Sequence, residues 1–580
     1  MMGQPEAITV AINVPVPMRD STILRANIYR PAGEGRWPVL LARLPYGKDL
    51  PAGSADLDPV QAARRGYVVI VQDVRGSGAS DGDWYPFRAE ADDGVDTIAW
   101  AADLPFSDGQ VGMFGGSYLG HTQWTAALKQ PPALKALIPI ATWSDPFNGM
   151  IYRGGALELG ITASWNLLMG LGELIRRNRA DPRAVGAAMK RWAAEYDALG
   201  PTGFDSLPLE EFAPLKRQGV ASFVFDTLEM PLDRNQDPFF SLTILGKHDK
   251  VRTPTLNIGC WFDIFLADTI AHYQAMRAQG IPSKLLIGPW VHGRMSNPIG
   301  ERNFGFGAQS SMIDMRTDLG SLQLRWFDHW LKGRDTGMLQ EAPITLFVMG
   351  ANIWRDEWEW PPARAVPTSW YLHENGGLSP EPPGAETSDR YDYDPADPVP
   401  TVGGATLIMT PEYPAGPRDQ RRIEARPDVL VYTSEPLPRD TEVTGPITVH
   451  LWAASSAPDT DFVARLLDVE PDGRSFNLTD GIVRARYRNF AQGEPASLIE
   501  PGRAYEYVID LWATSNVFQA GHRIRLQVTS SSFPRWDRNL NTGLPPVGDT
   551  VPQVAHQTIL HDTEHPSHII LPLVGVEEPA

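Results

Sequence analysis

What this sequence lacks narrows its function first. It has a single cysteine, Cys260, so no internal disulfide can form. Such a chain must hold together by buried apolar surface, which its 42% hydrophobic residues supply. Basic charge is short. Lys and Arg number 51 against 70 Asp and Glu, a formal net charge of -19. With no basic stretch to offset that field, binding to nucleic acid or to an anionic membrane is not expected. No run of about 18 apolar residues occurs, so no membrane-spanning helix is expected. The opening "MMGQPEAITVAINVPV" has no basic flank before a long apolar run, and no secretory signal is expected. A cytoplasmic protein is the resulting expectation. There is no internal repeat and no low-complexity tract.

What is present is α/β patterning followed by β patterning. The length of 580 residues exceeds one core and suggests about two to four domains. Early on, "PVLLARLPY" and "GYVVIVQDV" are short continuous apolar runs, as in strands buried on both faces. "RAEADDGVDTIAWAAD" has helical spacing and an acidic first turn. "GQVGMFGGSYLG" reads as strand and turn, followed by a helix from about His121 to Lys129 and the buried strand "ALKALIPIAT". The order predicts a mostly parallel sheet over 1–145. Residues 146–246 carry long helical patterns, among them "GGALELGITASWNLLMGLGELIRRN", and read as an inserted helical cap. Asp181 is placed to cap a second helix, with Pro182 at its first position. The α/β pattern resumes over 247–353. From 354 to 580, Pro-, Gly- and Asp-rich crossings such as "WPPARAVPTSW" precede short alternating runs, which predict a jelly-roll β-sandwich.

Ser117 stands out within this frame. A serine hydroxyl is a weak nucleophile and needs exposure, a base and a place for negative charge. A Gly-x-Ser-x-Gly turn between strand and helix meets these needs. Here Gly115 fits, but Leu119 holds the second glycine's place and Gly120 follows one residue late. Taken alone, the segment fits an ordinary Gly/Ser turn as well as a nucleophile. Two later strand exits favour the nucleophile. Asp263 follows "TLNIGCWF" and His292 follows "KLLIGPW", in the serine–acid–histidine order of α/β-hydrolases. In those roles Asp263 orients the imidazole, and His292 accepts the serine proton and returns it to the leaving group. Other motifs carry less. Gly76-x-Gly78 lacks the third glycine of a dinucleotide loop and reads as structural. His565 and His568, and likewise Asp459 and Asp461, lack metal-site spacing, so no metal or cofactor is expected.

The segments "GMFGGSYLG", "GCWFDIF", "GPWVHG", "LFVMGANIWRDEWEWPP" and "ATSNVFQAGHRIRLQVTSSSFPRWDRN" together resemble the cocaine esterase/X-prolyl dipeptidyl-peptidase family of serine hydrolases over nearly the whole chain, closest to its cocaine esterases. The resemblance implies an α/β-hydrolase domain, an inserted cap and a C-terminal jelly roll. It implies Ser117, Asp263 and His292 as the triad. Tyr46, by its hydroxyl, and Tyr118, by its backbone N–H, are implied as oxyanion donors. Trp165, Phe265, Leu407 and Ile408 are implied as pocket walls. "GMIYRGG" offers Ile151 and Tyr152 where a second cap tryptophan of cocaine esterases stands, which implies a differently shaped acyl or alcohol group. No acid stands at Leu119, leaving Asp145 and Glu158 to meet a substrate ammonium.

The expected activity is hydrolysis of small carboxylic esters through an acyl-serine. Amide cleavage by an acylase or X-prolyl peptidase is the alternative, because the same triad serves both. A non-enzymatic lectin-like binding role is the third. A homodimer is left open.

Overall fold

A computed structural model describes residues 7–228 and 242–575. Residues 229–241 of the expected cap, and the outermost residues at both ends, lie outside the described residues. Among the described residues, ten strands form the first sheet, in the order Ile8–Pro17, Ile23–Pro31, Val68–Asp73, Trp37–Leu44, Ser107–Gly116, Leu134–Ile140, Thr255–Phe262, Ser283–Val291, Ile344–Val348, Ile353–Glu357. From Val68–Asp73 to Ile344–Val348 all neighbours are parallel, and antiparallel strands flank this run. Every residue of Val68–Asp73, Thr255–Phe262 and Ser283–Val291 is buried, as expected of strands covered on both faces.

The pleat sends alternate residues to opposite faces. Leu41, Ile70 and Met113 meet Ile98 of the helix Glu90–Ala102 and Trp124 of the helix Tyr118–Ala127. Leu40, Val69 and Phe114 join the larger core with Phe327 of the helix Leu319–Lys332. The helix after Ser117 starts at Tyr118, directly after the serine, rather than near His121.

The chain leaves the sheet after Leu134–Ile140 and forms the short hairpin Tyr152–Arg153/Ala156–Leu157. The helices Leu159–Asn178, Pro182–Leu199, Ala213–Gln218 and Phe223–Leu228 follow. The helical pattern read from Gly154 therefore begins five residues late. Gly154 and Gly155 form the hairpin turn, and the Gly154 carbonyl accepts the Arg484 N–H at 2.8 Å. Asp181 caps its helix by accepting the Arg183 N–H.

The second sheet has eleven strands among the described residues and is antiparallel apart from the contact of Gly377–Ser379 with Leu430–Thr433. It includes two strands within stretches read as surface crossings, Ala365–His373 and Asp389–Tyr393. The chain is thus a hydrolase domain followed by an all-β domain. The two are joined by polar contacts as well as apolar packing. Met349 makes two backbone hydrogen bonds across the seam, its N–H donating to the Ser515 carbonyl at 2.9 Å and its carbonyl accepting the Val517 N–H at 2.8 Å. Arg153 of the hairpin is buried, donates to the Asp480 carbonyl at 2.6 Å and lies 3.4 Å from the Trp512 ring centroid. Arg535 pairs with Asp480 at 2.5 Å.

Candidate active site

The strand Ser107–Gly116 runs through the middle of the parallel sheet and ends at Ser117. Ser117 has φ 57° and ψ -120°, a strained conformation for a residue with a side chain. Three hydrogen bonds hold it. The Ser117 N–H donates to the Ile140 carbonyl at 2.8 Å, the Thr142 hydroxyl donates to the Ser117 carbonyl at 2.8 Å, and the Gly116 N–H donates to Asp56 Oδ2 at 2.8 Å. The missing second glycine also has an explanation. A Cβ at Gly115, where φ is 121°, would stand 2.6 Å from Leu119 Cδ2. The first glycine makes room for the leucine that replaces the second.

Sheet register brings Asp263 beside His292. Val291 and Phe262 are paired across parallel neighbours, so His292 and Asp263 leave the sheet side by side. His292 Nδ1 lies 2.8 Å from Asp263 Oδ2, and Asp263 Oδ1 accepts the Phe265 N–H at 2.8 Å. Asp263 is fully buried. Burial alone would lower the His292 pKa. The charge and hydrogen bond of Asp263, aided by Asp56, outweigh it and hold the imidazole above its ordinary value.

Ser117 and His292 open into one cavity of about 360 Å³ between sheet, cap and β-domain. Tyr46 stands on its wall. Its hydroxyl interacts with that of Ser117 and accepts the Trp165 indole N–H at 3.3 Å. Burial raises the Tyr46 pKa, so the phenol keeps its proton and stays a donor. The Tyr118 N–H opens the helix, where no intrahelical acceptor exists for it. The Tyr118 ring is fixed behind it, with its hydroxyl donating to Glu90 Oε1 at 2.8 Å and accepting the Phe87 N–H at 3.0 Å. Glu90 in turn pairs with the buried Arg43 at 2.8 Å.

Trp165, Phe265 and Leu407 all line this cavity, and Phe265 sets its edge against His292 at 5.4 Å between centroids. Ile408 does not. It packs on Gly160 of the cap helix, and Met409 lines the cavity instead. Ile151 lines a small apolar side cavity of about 40 Å³, while Tyr152 faces a separate cleft near Tyr487. The Gly76-x-Gly78 loop wraps Asp73, whose carboxylate would lie 2.2 Å from a Cβ at Gly78. Asp459 and Asp461 are held by Arg486, Arg484 and Asn539. Phe87, Trp143, Met409 and Asp56 belong to the cavity and were not singled out in the sequence. Each comes from a loop or strand end with no periodic signal.

A parallel sheet with a serine on a strained strand-to-helix turn, backed by a separate β-domain, defines the class as α/β-hydrolase. Two family models match. Residues 20–294 fit the X-Pro dipeptidyl-peptidase (S15 family) model, and residues 336–570 fit the X-Pro dipeptidyl-peptidase C-terminal non-catalytic domain model. A cocaine esterase of Rhodococcus sp. (strain MB1 Bresler) is 38% identical over 98% of this chain and 99% of its own. Among solved structures, an α-amino acid ester hydrolase is 25% identical with a TM-score of 0.81, covering 99% of this chain and 98% of its own. An aminopeptidase from a marine sediment archaeon, Thaumarchaeota archaeon, is 26% identical with a TM-score of 0.76, covering 98% and 97%. The chain belongs to the cocaine esterase/X-prolyl dipeptidyl-peptidase family and is an ester hydrolase.

Proposed function

We propose that the protein hydrolyses small carboxylic esters through an acyl-serine at Ser117. His292 removes the Ser117 proton as Oγ attacks the ester carbonyl, with Asp263 holding the imidazole and the imidazolium that forms. The Tyr46 hydroxyl and the Tyr118 N–H receive the oxyanion. Collapse breaks the bond to the alcohol, which leaves with the proton from His292. Water, deprotonated by the same imidazole, then cleaves the acyl-serine and releases the acid. No metal or cofactor is needed. The observation that carries this reading is Ser117 on its strained turn, facing the Tyr46 hydroxyl in the cavity that also holds the His292–Asp263 pair.

p-Nitrophenyl acetate, butyrate and benzoate test it. An initial burst of nitrophenol in the wild type, absent in a folded Ser117→Ala variant, is expected. Retained turnover in that variant would overturn the reading. The likeness to an aminopeptidase favours amide cleavage as the second reading. Release of anilide from Gly-Pro-p-nitroanilide faster than hydrolysis of any simple ester would select it. The same reading includes a cytoplasmic protein without nucleic-acid partners, in keeping with the net charge of -19; it leaves a homodimer open, which sedimentation measures directly.

A further inference from the structure

Glu90 is a buried acid with no part in the triad, and one hydroxyl connects it to two sides of the catalytic cavity. Glu158 and Asp145, the acids singled out in the sequence, are engaged away from that cavity. Glu158 accepts the Trp536 indole N–H at 2.8 Å and lies beside Arg535, and Asp145 caps the Phe147 N–H at 3.0 Å. Neither lines the cavity.

The connecting hydroxyl is that of Tyr118, which donates to Glu90 Oε1 at 2.8 Å and accepts the Phe87 N–H at 3.0 Å. Burial and the Glu90 charge hold the Tyr118 pKa well above its ordinary value, so the hydroxyl keeps its proton. Phe87 has φ 68°, in the left-handed region, which is strained for a residue with a side chain and must be held by its surroundings. The Tyr118 hydroxyl holds its N–H, and its carbonyl accepts the Glu90 N–H at 3.3 Å. The Phe87 ring stacks on that of Tyr118 at 4.3 Å between centroids, lies parallel to Trp165 at 6.4 Å and meets Trp143 edge-on at 5.1 Å. All four rings line the cavity. Glu90 is itself fixed. Arg43 pairs with its Oε2 at 2.8 Å, donates to its carbonyl at 3.0 Å and donates to Gln72 Oε1 at 2.8 Å. Arg43 and Gln72 are register partners on the parallel strands Trp37–Leu44 and Val68–Asp73. Packing alone asks for none of these polar groups. A phenylalanine would fill the Tyr118 space, and apolar side chains of equal volume would stabilise the fold as well as the Arg43–Glu90 pair. What the polar groups add is a fixed direction. They clamp the helix side of the serine turn to the sheet, as the bonds from Ile140, Thr142 and Asp56 clamp its strand side.

We infer that Glu90 is a positioning residue. Acting through the Tyr118 hydroxyl, it holds the Tyr118 N–H in line for the oxyanion and the Phe87 ring in the cavity wall. The inference rests on the proposed acyl-serine mechanism. Wild-type turnover of neutral esters tests that mechanism by itself, so the two fail separately.

Kinetics with p-nitrophenyl acetate and benzoate, beside thermal unfolding, supply the test. Tyr118→Phe removes one oxygen and keeps both the ring and the backbone N–H. It is expected to lower kcat for the acetate about tenfold with KM changed less than about twofold, the signature of a misaligned transition-state contact. The benzoate-to-acetate ratio of kcat/KM is expected to fall about threefold or more, because the larger acyl group meets more of the Phe87 wall. Glu90→Leu is expected to reproduce both effects. Glu90→Gln, whose amide oxygen can accept the same hydroxyl, is expected to recover most of the kcat lost in Glu90→Leu even though it melts lower than the wild type, Arg43 having lost its charge partner. If Glu90→Leu does not fold, Tyr118→Phe decides alone, because it removes no charge. A folded Tyr118→Phe variant with wild-type kcat or a wild-type ratio, whatever its melting temperature, would overturn the inference. A folded Glu90→Gln variant no faster than Glu90→Leu would overturn it as well.

Discussion

At the scale of single residues, catalysis depends on where protons sit. Tyr46 is buried, and its raised pKa keeps the phenol protonated across the working range. Tyr46→Phe keeps the ring and removes the donor. It is expected to lower kcat about 100-fold with little change in KM, because in the proposed mechanism the hydroxyl acts on charge that exists only in the transition state. In the proposed mechanism His292 works as a base only when neutral. Since Asp263 and Asp56 hold its pKa above the ordinary 6.5, kcat/KM is expected to rise with pH along a limb centred above that value. A limb centred below it would contradict the electrostatics described. Ser117 and the two strand exits were legible in the sequence because each follows a short buried run. Asp56 was not, being a lone aspartate in a loop whose partner, Gly116, is 60 residues away.

At the scale of elements, the helix behind the serine rests on buried imidazoles. His121 stacks on Trp143 at 3.7 Å between centroids, His272 stacks on Trp124 at 4.1 Å, and His248 Nε2 lies 2.8 Å from His272 Nδ1. Burial lowers all three pKa values, to about 3 for His121, to about 4 for His248 and well below the ordinary value for His272. In the unfolded chain these groups protonate near 6.5. Stability is therefore lost as pH falls from about 6.5 toward 4. Asp268, raised to about 7 by burial, binds its proton in the folded state and works the other way across that window. Asp461, raised to about 6 by burial, joins it. Each of the three histidines takes up as much as one proton on unfolding, so urea unfolding between pH 7 and 4 is expected to show an uptake smaller by about one proton in His248→Gln than in the wild type. Close approach also shapes this helix. A Cβ at Gly120 would stand 2.6 Å from that of Thr142, the residue that holds the serine carbonyl. Gly120→Val is expected to displace the turn and cost more than tenfold in kcat by misplacing the nucleophile.

The elements differ in how plainly the sequence announces them. Thr255–Phe262 and Ser283–Val291 are continuous apolar runs because helices cover both faces of their sheet. Asp389–Tyr393, with exposed Arg390 and Asp392 alternating with buried Tyr391 and Tyr393, lies in a Pro- and Asp-rich stretch whose composition hides a five-residue strand. The hairpin at Tyr152–Leu157 is held mainly by the β-domain, which no local pattern reveals.

At the scale of the whole molecule, the β-domain is part of the site. It supplies Leu407 and Met409 to the cavity wall and anchors the cap through two buried ion pairs, Arg153–Asp480 and Arg535–Glu158, each at 3.8 Å. Arg535 is nearly fully buried, pairs with Asp480, lies 3.8 Å from Glu158, and accepts the Gly160 N–H of the cap helix at 3.1 Å through its carbonyl. Arg535→Ala leaves two buried carboxylates short of a partner. It is expected to cost about 3 kcal/mol of stability and to raise KM as the cap shifts against the wall. Thermal unfolding and steady-state kinetics on one preparation measure both effects.

The central claim is that one serine carries the acyl group. Intact-mass measurement after reaction with a fluorophosphonate, followed by peptide mapping, tests it most directly. The account predicts one adduct per chain, located on Ser117, and none in Ser117→Ala. An adduct on another residue, or an unmodified wild-type protein, would contradict it.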